Sequence, residues 1–76
     1  MRFLISRYAN GADTPDSVAD VFALSVDDAS ELLGIPPARI TDVYPLKGAQ
    51  ADAFRRLTGI GLDLDRYEYF LEAEAD

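Results

Sequence analysis

Near its end the chain alternates: Tyr67, Tyr69, Leu71 and Ala73 share one side, and Glu68, Phe70, Glu72 and Glu74 share the other. Successive side chains of a strand point to opposite faces, so this period of two predicts a strand over residues 65–75. Residues 3–9, rich in aromatic and β-branched side chains, predict another strand. Asn10-Gly11 and Thr14-Pro15-Asp16 then punctuate a loop. Residues 18–24 alternate again, with Val18, Asp20, Phe22 and Leu24 set against Ala19, Val21 and Ala23. They predict a second strand that folds back on the first as an antiparallel hairpin.

Two stretches change to helical spacing. Ser25 is a natural N-cap; Asp28 stands three residues on as the reciprocal capping acid, and Asp27 also favours the positive helix end. Ala29, Leu32 and Leu33 form the inward stripe. Gly34 supplies the stop, and Pro36-Pro37 forbid continuation. Between residues 39 and 46, Ile40, Val43, Tyr44 and Leu46 read as extended chain interrupted by Pro45. Without an N–H, that residue belongs on a sheet edge or in a linker. From Gly48 to Thr58 the pattern is helical, with Ala53, Phe54 and Leu57 on one face and Gly59 closing the end.

The order β-β-α-(β)-α-β predicts an α+β fold, a small antiparallel or mixed sheet of three to four strands with two short helices on one face. The whole of residues 1–76 is expected to be a single domain, with a core of Phe22, Leu24, Leu32, Leu33, Phe54, Leu57, Tyr69 and Leu71. A chain this short buries only about 60% of its unfolded surface, so little room is expected for a pocket of ~300 Å³ or more.

Charge narrows the choice of partner. Fourteen acids against seven bases give a net charge of −7. Such a field repels nucleic acid and attracts cationic molecules. From residue 61 onwards there are six acids and only Arg66 to oppose them, which puts five of the excess negative charges at the end of the chain. Cysteine is absent, and the apolar run at the N-terminus is too short for a signal-peptide core. With no apolar run of membrane-spanning length, the expectation is a cytoplasmic protein that does not bind membranes.

Catalysis is hard to build from this residue set. Without histidine or cysteine, the common nucleophile–base pairs and most zinc sites have no material, so no catalytic, cofactor or metal site is expected. Gly59-Ile60-Gly61 closes a helix instead of opening one, unlike a phosphate-binding loop. Asp63-Leu64-Asp65 begins like a calcium loop, but Tyr67 and Glu68 stand where the third ligand and the glycine belong. Asp63, Asp65 and Glu68 leave room only for an incidental cation site. Glu68 and Glu72 lie four residues apart on one strand face, roughly 13 Å at ~3.3 Å per residue, too far for paired acid–base work.

Phe70 carries more information. It stands among Glu68, Glu72 and Glu74 on the face opposite the tyrosines. Two roles are open to it: an anchor for a partner inside a charged rim, or a cross-strand companion of Tyr8 or Leu4.

Tyr44-Pro45-Leu46 ahead of a helix, followed by the tract from Leu62 to Glu72, resembles a family of short bacterial proteins. Those proteins are similar to immunity proteins of polymorphic toxin systems, with a strand-first layout and an aromatic C-terminal strand. The resemblance implies a protein that binds and neutralises a toxin domain. The expectation is therefore a non-enzymatic acidic module of the immunity or inhibitor type. It would meet a cationic protein partner through Glu68, Phe70, Glu72 and Glu74. An inhibitor that mimics nucleic acid is a close variant. A self-associating structural or accessory subunit is the alternative, and a small enzyme or ligand binder the remaining one. The acids of the last strand, taken as a possible sheet edge, should discourage edge pairing and leave a monomer or a weak homodimer.

Overall fold

The two longest strands come from opposite ends of the chain and lie side by side. A computed structural model describes residues 1–74. Strands β1 (Arg2–Ala9) and β2 (Ser17–Asp20) are followed by helix α1 (Val26–Leu33) and a single 3₁₀ turn at Pro37–Arg39. Strand β3 (Val43–Pro45), helix α2 (Ala49–Thr58) and strand β4 (Tyr67–Glu74) complete the order. The sheet runs β2-β1-β4-β3, with every neighbouring pair antiparallel. This is an α+β arrangement with a wholly antiparallel sheet.

Local chemistry sets the helix ends. The Ser25 hydroxyl accepts the Asp28 N–H at 3.0 Å, and the Asp28 carboxylate accepts the Ser25 N–H at 3.3 Å. Two otherwise unpaired donors at the start of α1 are thereby satisfied. At the other end Gly34 takes φ 69° and donates its N–H to the Ser30 carbonyl. Helix α2 ends in the same way at Gly59, φ 78°, and the Thr58 hydroxyl donates to the Phe54 carbonyl at 2.7 Å.

Both helices turn their apolar stripes onto the same side of the sheet. Phe3 and Ile5 of β1, Tyr69 and Leu71 of β4, Ala29 and Leu32 of α1 and Phe54 of α2 form one core. Val21, Leu24, Ile40 and Leu46 join it from connecting segments. Leu33 and Leu57, expected inside, lie half-buried at its margin.

Two expectations need correction. Phe22 is not a core residue: it is 91% exposed. Strand β2 stops at Asp20, and a turn follows in which the Leu24 N–H approaches the Val21 carbonyl at 3.4 Å. Val21 and Leu24, three residues apart, both turn inward, and Phe22 between them is thrown outward. Strand β4 is not a sheet edge, because β1 and β3 flank it. The edges are the short strands β2 and β3, and β3 ends in Pro45, which has no N–H to offer another chain. Ala75, placed in the last strand by its alternation, lies outside the described residues. Among the described residues no helix is long and apolar enough to cross a membrane.

Candidate functional site

With both helices on one side, the other side of the sheet is uncovered. The register fixes what it presents. Across β1 and β4, Arg2 lies opposite Glu74, Leu4 opposite Glu72, Ser6 opposite Phe70 and Tyr8 opposite Glu68. Across β3 and β4, Val43 faces Glu72 and Pro45 faces Phe70. The four residues expected to meet a partner, Glu68, Phe70, Glu72 and Glu74, thus share one open face.

Phe70 sits near the middle of that face and is half-buried. Its ring meets Tyr8 edge to face, with centroids 5.4 Å apart and planes at 85°. Ser6, directly opposite, is buried although it points to the open side. Its cross-strand neighbours are the much larger Val18 on β2 and Phe70 on β4. Phe70 therefore has the cross-strand companion foreseen in Tyr8, and still offers part of its ring to the surface.

The acids around it are not equivalent. Glu74 is held by Arg2, whose guanidinium donates to it at 3.0 Å, and Asp20 stands 4.0 Å from the same side chain. Among the described residues, Glu68 and Glu72 make no ion pair. These two flank Phe70 in sequence and on the face, Glu68 exposed and Glu72 half-buried. An apolar centre with two uncompensated carboxylates beside it forms the negative part of the face. Arg2 was not among the expected site residues, and Tyr8 was expected only as one of two possible companions of Phe70. Both are brought in by pairing between the two ends of the chain.

Arg7 points to the opposite, helix-covered side. Its guanidinium donates to both oxygens of Asp16, at 3.1 and 3.2 Å, and lies 4.3 Å from the centre of the Tyr67 ring. The hydrogen bond to Asp16 raises the Arg7 pKa above its ordinary value, opposed by partial desolvation. Arg7 is therefore committed to Asp16 and Tyr67 and does not neutralise the open face.

A cleft opens where β3 ends. It encloses about 480 Å³ and is bordered by Asn10, Pro45, Leu46, Lys47, Leu64 and the β4 residues 67–70. So large a concavity was not expected in a chain of this length. It arises because β3 has only three residues while β4 has eight, leaving the first residues of β4 without a neighbour on that side. Asp63, Asp65 and Glu68 do not gather into a cation site: among the described residues no group of three acids is placed to hold a metal ion. Asp63 approaches Arg66 at 3.8 Å, and its N–H donates to the Tyr69 hydroxyl at 3.1 Å.

A family model matches residues 2–72, from the first strand to Glu72, and so takes in Glu68, Phe70 and both sides of the cleft. The chain belongs to the DUF7683 family. That family is described as a domain of unknown function. No curated protein and no solved structure matches the chain.

Proposed function

We propose that this protein is a non-enzymatic binding module whose open sheet face receives a cationic protein, in the manner of an immunity or inhibitor protein that neutralises a toxin domain in the cytoplasm. The observation that carries this reading is the uncovered face centred on Phe70, where Glu68 and Glu72 have no ion-pair partner among the described residues. An aromatic side chain that is only half-buried supplies apolar area at the centre of an interface. Unneutralised carboxylates beside it steer a positively charged partner and reject a negatively charged one. The absence of histidine and cysteine removes the usual catalytic groups, which favours binding over turnover.

The test is affinity capture from the native host with four baits: the parent, Phe70→Ala, the double variant Glu68→Lys with Glu72→Lys, and Asp52→Lys on helix α2. The reading expects a basic protein retained by the parent and by Asp52→Lys and lost from the other two. A partner captured equally by all four baits, or an acidic partner, contradicts it.

A further inference from the structure

The cleft beside Phe70 has a more specific chemistry than the face as a whole. Just past the end of β3, the Leu46 N–H donates to the Tyr69 carbonyl of β4 at 2.9 Å. Further along β4, the Ala73 N–H reaches the Asp42 carbonyl on the same side, at 3.2 Å. Backbone groups of an antiparallel strand alternate in direction, so Tyr67 aims its carbonyl the way Tyr69 does. There the chain has already left the sheet for α2. The Tyr67 N–H is taken by the Asp63 carbonyl at 3.1 Å, and by the same alternation the Tyr67 carbonyl turns away from Ala9, its neighbour on β1. One residue on, the exposed Glu68 carboxylate lines the same cleft. The remaining walls include the apolar surfaces of Pro45, Leu64 and Phe70.

We infer that this cleft receives a single arginine side chain from the cationic partner, its guanidinium bound between the Glu68 carboxylate and the Tyr67 carbonyl and its flat face against Phe70. The inference rests on the reading of the open face given above. Both polar groups named are acceptors, which a guanidinium satisfies with its fork of five donors. The aromatic wall favours a planar cation over a compact ammonium. The chain packs Arg7 on Tyr67 in this fashion on the other side of the sheet. Lys47 stands across the cleft, where the β3–β4 register would place it opposite Glu68, yet no ion pair joins the two.

The experiment is a nuclear magnetic resonance titration of the full chain with three probes: N-acetylarginine methylamide, its neutral citrulline counterpart, and hexalysine. The arginine probe is expected to shift the backbone signals of Leu64, Glu68 and Phe70, and the citrulline probe to leave them in place. Glu68→Gln should weaken the arginine probe about tenfold, the scale of a lost charge-assisted hydrogen bond. Lys47→Ala should tighten it by removing a competing charge. Equal shifts from citrulline, no shifts with the arginine probe, or loss of binding in Lys47→Ala would overturn the inference. Hexalysine separates the two claims. If it moves Phe70 and Glu72 while the arginine probe leaves the cleft unchanged, the acidic face stands and the arginine cleft falls. If it moves neither Phe70 nor Glu72, the reading of the face fails as well.

Discussion

Tyr8 and Phe70 meet edge to face across the two central strands, on the side of the sheet that no helix covers. They are diagonal neighbours: Tyr8 lies opposite Glu68, and Phe70 opposite Ser6. The contact joins the first strand to the last and puts two aromatic rings together on the open face. It also gives Phe70 two roles, since a residue that supports the sheet is at the same time the proposed anchor for a partner.

That double role can be measured. Aromatic pairs contribute ~0.5–1.5 kcal/mol beyond the area they bury. A double-mutant cycle of Tyr8→Ala and Phe70→Ala, read by urea unfolding, is expected to return a coupling energy in that range. A coupling near zero would mean that the two rings do not support one another in solution.

The contrast between Phe54 and Phe22 tests the core. Phe54 is fully buried, whereas Phe22 is almost fully exposed. Phe54→Ala should cost ~3–5 kcal/mol, and Phe22→Ala about 0.5 kcal/mol or less. Comparable losses at the two sites would show that Phe22 packs inside the protein in solution.

The start of α1 tests the helix chemistry. Ser25→Ala removes the acceptor for the Asp28 N–H and should destabilise the protein by ~0.5–2 kcal/mol. Ser25→Asp should restore most of the loss, because aspartate also caps. An unchanged unfolding midpoint in Ser25→Ala would show that the cap does not contribute.

These tests separate what the sequence shows from what it hides. The caps at Ser25, Gly34 and Gly59 depend on residues within a few positions of each other and are legible as local patterns. So is the shared face of Glu68, Phe70, Glu72 and Glu74, because strand alternation alone determines it. Phe22 was misleading because it continues an alternation that the chain abandons at a turn. The apolar residues at 21 and 24 win the inner positions there, and no strand pattern reports where a strand stops. The central place of β4 and the Arg2–Glu74 ion pair depend on pairing the ends of the chain, as does the choice of Tyr8 over Leu4 as the companion of Phe70. The cleft follows from the same long-range arrangement, through the difference in length between β3 and β4.

The edges bear on assembly. Strand β2 has four residues and β3 three, the latter ending in proline. Short, blunted edges give another chain little to pair with. Light scattering after size exclusion is expected to find a monomer at micromolar concentration. A stable dimer that persists on dilution would favour the self-associating alternative.

The most direct test of the central claim measures association and dissociation rates with the captured partner at low and high salt. If the open face meets a cationic surface, association of the parent should slow as salt rises, because screening shortens the reach of the attraction. Glu68→Lys with Glu72→Lys should slow association and flatten its salt dependence. Phe70→Ala should act mainly on dissociation and weaken binding by ~2 kcal/mol or more. Asp52→Lys, on the helix side, should behave like the parent. Circular dichroism must show each variant folded. The account is contradicted if Phe70→Ala and the double charge reversal bind like the parent while Asp52→Lys abolishes binding, for then the partner sits on the helices and not on the sheet.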